Sequence, residues 1–280
     1  MQAYKLLFEA PFDFDPALWQ EYDETFTIVD QDSPVDIWVC DPVQNYVING
    51  FVLDQYPGLK ILATPSTGTN HIDFDACEKR GIKVISLLDD RDNLRQIMAS
   101  SEYAFKMILD GLRKPPAHEL YCQRVGIIGN GRIGSNLFAW LEAFGAYPRV
   151  YDPPKHFNTD LKSMFAYCNV VVVCCTLNDE TRGLVTPDLL RLMPRDGALV
   201  NVARGDIIDE KGLIAVMDER PDLRVVLDVL SGEETGTAFP DPLVLRGAIV
   251  TPHIAGNTFE SRTKAAKIIY NLIIKELSDE

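Results

Sequence analysis

The chain has 280 residues, 46% hydrophobic and 24% charged, with a formal net charge of −14 at pH 7: the composition of an ordinary globular protein with material for two modest domains. That charge excludes nonspecific nucleic-acid binding and attachment to anionic membranes, both of which need a basic footprint, so an anionic ligand must be met by local cations. No apolar run approaches the roughly 20 residues of a membrane-spanning helix.

The opening MQAYKLLFEAPFDFD carries acids and lacks a basic leader and a long apolar core, so it does not read as a signal peptide. KLLFEA, FTIVD, DIWVC, KILAT and KVISLL predict short strands, separated by helical stretches such as VINGFVLDQY and FDACEKRG, which together suggest a small parallel α/β domain. IMASSEYAFKMILDGL has helical periodicity without an interior proline and predicts a connecting helix. VVVVCC, GALVNV, RVVLDVL and AIVTP predict the later strands of a second sheet, and SRTKAAKIIYNLIIKEL a final amphipathic helix returning to the first domain. The expected division is a discontinuous substrate domain, residues 1–95 and 258–280, with a cofactor domain, residues 96–257, inserted in it. The cleft between them is the expected substrate site. Six cysteines, at 40, 77, 122, 168, 174 and 175, form no CxxC pair, and Cys174 and Cys175 fall in an apparent buried strand. They read as reduced core residues of a cytosolic protein, and with the four histidines off ligand spacing no zinc site is expected.

Between these groups lies VGIIGNGRIGSNLFAWLEAFGAYPRVYD, residues 125–152: strand, glycine-rich turn, helix, strand and terminal acid. That order describes a dinucleotide-binding βαβ unit, with a turn at Gly129, close backbone approach to a pyrophosphate at Gly131 and helix packing at Gly134. Ile133, Leu137, Trp140, Leu141 and Phe144 recur at helical spacing, and Gly145 is placed to end the helix. Asp152 stands where a carboxylate accepts both ribose hydroxyls of NAD and repels the 2′-phosphate of NADP, a preference that Lys155 and His156 soften.

Three later strand ends carry reactive side chains: Arg204 in NVARGDIID, Asp228 and Glu233 in LDVLSGEE, and His253 in TPHIAGNT. Ligands of doubly wound sheets gather beyond the carboxyl ends of strands. A guanidinium, an imidazole and a carboxylate there suit hydride transfer to a 2-keto acid. Arg204 would bind the carboxylate, His253 exchange a proton with the C2 oxygen, and Glu233 orient the imidazole.

With STGTNHID (66–73), SSEY (100–103), VGIIGNGRIG (125–134), DETRGL (179–184), NVARGDIIDE (201–210), LDV (227–229) and TPHIAGNT (251–258), the sequence resembles the D-2-hydroxyacid dehydrogenase family over most of its length. The resemblance implies an α/β fold in which a Rossmann NAD-binding domain is inserted in a smaller flavodoxin-like substrate domain. It gives Arg204, Glu233 and His253 the catalytic positions. It places the substrate carboxylate on the backbone around Thr67 and Gly68 together with Arg204. It puts Arg132 and Ile133 at the pyrophosphate, Thr176 and Ala203 along the cofactor cleft, and Asp228 near the nicotinamide. The family's usual proline after the catalytic glutamate is missing here, so the histidine's partner stays open between Glu233 and Glu234. Cys174 replaces a common histidine, and the segment 111–124 is short where the family carries a dimer arm. The implied protein is a cytoplasmic homodimer using NAD on a small anionic D-2-hydroxy or 2-keto acid, phosphorylated or sugar-derived by analogy of STGTN with phosphoglycerate dehydrogenases. An NAD(H)-sensing corepressor and a formate or phosphite dehydrogenase are the alternatives.

Overall fold

A computed structural model describes residues 4–9, 13–158 and 160–279. The chain forms two compact units, one of residues 1–97, 234–236 and 257–280, the other of residues 98–233 and 237–256.

The first unit is built on five strands, β1 (Lys5–Phe8), β2 (Thr27–Val29), β3 (Ile37–Val39), β4 (Ile61–Thr64) and β5 (Lys83–Ser86). All pair in parallel in the order β2-β1-β3-β4-β5, which is the flavodoxin-like order. The strands are shorter than their apolar runs. KLLFEA stops at Phe8, and its Ala10 lies outside the described residues. KVISLL stops at Ser86, whose side chain accepts the Leu88 N–H at 3.2 Å while Asp89 accepts the Ser86 N–H at 2.7 Å. This capping box turns Leu87–Asp89 into a 3₁₀ turn. The helix Phe259–Asp279 belongs to this unit and buries Ala265, Ala266, Ile268, Ile269 and Ile273 with Leu6, Ile37 and Ile61. Tyr22 donates its hydroxyl to the Ala266 carbonyl at 2.8 Å.

The second unit has seven strands, β6 (Arg124–Ile128), β7 (Tyr147–Asp152), β8 (Phe157–Asn158), β9 (Val170–Val173), β10 (Ala198–Asn201), β11 (Arg224–Leu227) and β12 (Ile249–Val250). Their order is β12-β11-β10-β9-β6-β7-β8, parallel except for β8. This is the Rossmann order with one extra strand, and its switch point lies between β6 and β9. The four valines of β9 are wholly buried, as befits a strand covered on both faces. Cys174 and Cys175, expected inside that strand, follow its end and are only partly buried. One face of the sheet packs on Ala104, Met107, Ile108 and Leu112 of the helix Ala99–Arg113 and on Leu137 and Leu141 of the helix Arg132–Ala143. Phe144, which continues the helical spacing of Leu137 and Leu141, is 62% exposed: the helix ends at Ala143 and Phe144 is its cap. Gly145 follows at φ +75°. Among the described residues no helix is long and apolar enough to cross a membrane.

Candidate active site

The switch point is shaped by glycines. Gly129 has φ +97°, and a Cβ there would lie 2.7 Å from the Cys175 backbone, so the turn after β6 passes directly over the chain leaving β9. A Cβ at Gly134 would drive into the Gly129 carbonyl oxygen, whereas one at Gly131 would meet open space. Two glycines thus close the turn against protein, and the third leaves room in front of the helix N-terminus, where backbone N–H groups and the helix dipole favour an anion. Asp152 ends β7 and accepts the Asn130 N–H at 2.6 Å, while Lys155 donates to the Asn130 carbonyl. Arg132 and Ile133 open the helix. Burial pushes the Arg132 guanidinium below its ordinary pKa, and Ile133 packs against the core. These residues fit a bound dinucleotide: a glycine rim with space before it, and an acid at the end of the second strand.

Arg204, Glu233 and His253 follow β10, β11 and β12, three neighbouring parallel strands, so the sheet brings all three to one edge. Asn201 ends β10 fully buried. Its side chain accepts the Ala203 N–H at 3.0 Å and donates to the Arg204 carbonyl at 2.9 Å, which fixes the turn that presents the arginine. Ala203 is itself buried, and its carbonyl receives Arg204 Nη1 at 2.7 Å. At Gly205 the backbone crosses the Leu230–Ser231 peptide so closely that a Cβ would overlap it.

Glu233 Oε1 accepts the Leu230 N–H at 2.7 Å, and Oε2 lies 3.0 Å from His253 Nδ1. Both side chains keep about a quarter of their surface exposed, 27% and 28%, so the pair is reachable without being fully solvated. The side chain of Glu234, the other candidate partner, lies outside the described residues. His253 sits at φ +54°, a conformation that L-residues other than glycine adopt only when their surroundings hold them there. Its N–H donates to the Asp228 carbonyl at 2.9 Å. The Asp228 carboxylate, 0% exposed, takes Thr251 Oγ1 at 2.5 Å and the Ile254 N–H at 3.0 Å on Oδ1, and the Ala255 N–H at 2.8 Å on Oδ2. Asp228, expected near the nicotinamide, thus spends its carboxylate on the loop that carries the histidine.

Thr176 is exposed in the loop after β9, where its carbonyl accepts Thr181 Oγ1 at 2.7 Å. Thr67 and Gly68 belong to the first unit, in the turn after β4, and the Gly68 N–H donates to Ser66 Oγ at 3.0 Å. Sequence reasoning missed Asn201, Gly205 and Thr251. The asparagine and glycine flanking VAR were the available signal for a shaped turn, whereas Thr251 offered none.

A family model described as the D-isomer specific 2-hydroxyacid dehydrogenase NAD binding domain matches residues 89–255. The chain belongs to this family. It is similar to a glyoxylate/hydroxypyruvate reductase of Arabidopsis thaliana, 30% identical over 247 residues that cover 78% of this chain and 73% of that protein. It is also similar to an erythronate-4-phosphate dehydrogenase of Shewanella loihica, 30% identical over 240 residues, 82% of this chain and 61% of that protein. In fold it resembles the NAD+-bound 3-phosphoglycerate dehydrogenase of Entamoeba histolytica, with a TM-score of 0.81 and 23% identity over 99% of this chain and 96% of that one. This dehydrogenase is therefore a two-sheet α/β protein carrying an NAD-binding Rossmann domain.

Proposed function

We propose that the protein moves a hydride between NAD(H) and C2 of a small D-2-hydroxy acid or its 2-keto acid, a phosphorylated or sugar-derived acid fitting its relatives best. The contact between Glu233 and His253 carries this reading: a carboxylate at 3.0 Å fixes the imidazole Nδ1 and leaves Nε2 for a substrate oxygen. Bound NAD(H) supplies or accepts the hydride. Arg204 holds the substrate carboxylate through its planar fork, and His253 gives a proton to the C2 oxygen in reduction and takes it back in oxidation. Glu233 offsets the charge of the imidazolium. Thr67 and Gly68 contribute backbone contacts to the same carboxylate. Gly129, Gly131, Arg132, Ile133 and Gly134 receive the pyrophosphate and Asp152 the adenosine ribose. Thr176 and Ala203 line the cofactor's path, and Asp228 secures the nicotinamide end through the loop it holds. The unit of residues 98–233 and 237–256 is the cofactor domain in this scheme, and the other unit the substrate domain.

The partner we propose is a second copy of the chain. Tyr121, Phe144 and Tyr147, 66%, 62% and 58% exposed, lie about the C-terminal end of the helix Arg132–Ala143, with Tyr121 against Gly145 and Phe105 of the helix Ala99–Arg113 5.1 Å from Phe144. An aromatic surface of that kind is typical of interfaces. Five of the six thiols are partly or fully buried; Cys122, expected in the core, is exposed, and all six are unpaired, which suits a reducing compartment, and we propose the cytoplasm. A panel of 2-keto acids, including glyoxylate, hydroxypyruvate and the 2-keto forms of phosphorylated sugar acids, assayed by NADH oxidation tests the reading. Turnover of at least one, and, where the product is chiral, oxidation of its D but not its L form, is the expected result. NADH binding without turnover of any 2-keto acid would overturn it.

A further inference from the structure

The turn that carries Glu233 is held by two acids on the neighbouring segment. Ser231 donates its N–H to Glu210 Oε2 at 2.9 Å and its hydroxyl to Asp206, which is in turn paired with Arg182. Glu210 opens the helix Glu210–Glu219. Burial foremost, and after it the carboxylates of Asp206 and Glu233, hold its carboxyl above the ordinary range, against the Ser231 amide that favours the charged form. A half-buried carboxylate that faces two others is unfavourable by itself. Here it has a specific consequence: Ser231 lies next to Leu230, whose N–H fixes Glu233 Oε1, and two residues before Glu233 itself. At the same turn the Gly205 backbone crosses the Leu230–Ser231 peptide with no room to spare.

We propose that Glu210 is a positioning residue: by anchoring the Ser231 amide it sets the turn that delivers the Glu233 carboxylate to His253. The mechanical part stands on distances within one unit. Its effect on turnover rests on the reading of Glu233 and His253 as the acid/base pair. Through this chain a group that touches neither substrate nor cofactor governs how firmly the imidazole is held, and Asp206 braces the same serine from the hydroxyl side.

The test uses the full-length protein and two independent readouts. The first is the downfield proton resonance of the hydrogen-bonded His253 Nδ1–H, recorded without substrate and identified by its absence in His253→Ala. The second is steady-state kinetics with the best 2-keto acid. Glu210→Gln keeps an acceptor for the Ser231 amide, so the resonance should persist and kcat should stay within about three-fold of the parent. Glu210→Asp keeps the charge but withdraws the acceptor by one methylene, and Glu210→Ala removes it. Both should lose or broaden the resonance and lower kcat by about ten-fold, a fraction of the usual weight of general acid/base catalysis, with KM and NADH affinity within about two-fold. A resonance unchanged in Glu210→Asp and Glu210→Ala would overturn the proposal, as would a loss in Glu210→Gln equal to that in Glu210→Ala. Loss of the resonance with kcat intact would leave the positioning in place and sink the acid/base reading instead.

Discussion

Replacing Asp228 with Asn changes one atom and tests the whole histidine loop. The carboxylate receives two backbone N–H groups on different oxygens, Ile254 on Oδ1 and Ala255 on Oδ2, besides the Thr251 hydroxyl. A hydroxyl can turn round and accept, but an N–H cannot. In either orientation of the new amide, therefore, its NH₂ faces one of the two N–H groups, and that donor is left unpaired at a position with no exposed surface. Losing a hydrogen bond to a buried charge and stranding its donor costs about 2–4 kcal/mol, which in a protein of this size lowers Tm by roughly 3–7 °C. The loss is local, because the same loop holds His253 at φ +54°, and a histidine released from the left-handed region gains about 1–2 kcal/mol by leaving it. Amide hydrogen exchange at Ile254 and Ala255 should accelerate, and kcat should fall by about ten-fold or more as the imidazole moves. Thermal unfolding, exchange and kinetics on one preparation check the argument. Parental Tm, protected amides and unchanged kcat together would show that the Asp228 carboxylate does not hold the loop.

Three further outcomes are expected. Arg204→Lys should lower kcat/KM by about 10²-fold although the charge is kept, because an ammonium cannot reproduce a planar fork, while NADH affinity holds; equal losses in both would mark the arginine as structural. The native protein should bind NADH more tightly than NADPH, and Asp152→Ala should narrow that difference; tighter NADPH binding by the native protein would refute the role of Asp152. Asp222 is held at about 2, against an ordinary 3.8, by its hydrogen-bonded pairing with Arg220. A depressed acid stabilises the fold above its unfolded value and loses that contribution as pH falls toward its folded one, here from about 4 down to about 2. This part-buried pair, its side chains still 23% and 22% exposed, is worth about 1 kcal/mol after solvent screening, so Asp222→Asn should cost that much near neutrality and flatten the acid limb of a Tm profile. A parallel profile would contradict it.

The features legible in the sequence are those with a local signature. A short β-branched run such as VVVV favours a strand buried on both faces, and GNGRIG between a strand and a helix, with an acid ending the next strand, points to a nucleotide turn. Fold and cofactor followed from such runs. Strand ends depart from the apolar pattern where a polar cap overrides it, as at Ser86, whose hydroxyl and the Asp89 carboxylate stop KVISLL before its two leucines. At Cys174 and Cys175 apolar character continues past Val173, whereas the sheet's register does not. At the candidate site the side chains with reactive groups stood out in the sequence, but those that hold them did not. The link from Ser231 to Glu210 spans 21 residues and that from Ala255 to Asp228 spans 27, and no spacing rule reaches so far.

The crossing of Gly205 over Leu230 and Ser231 has a consequence for how such a protein can change. The turn presenting Arg204 and the turn presenting Glu233 meet backbone to backbone, with no side chain between them to be trimmed or enlarged. A mutation that shifts one turn shifts the other, so the groups proposed as the substrate's anchor and as the support of the proton donor inherit each other's errors. Selection for a bulkier or shorter substrate has no gradual route through this junction. Variation in what the protein accepts has to accumulate at positions that leave the crossing untouched, and a library built to alter specificity would waste every member that carries a change at residue 205.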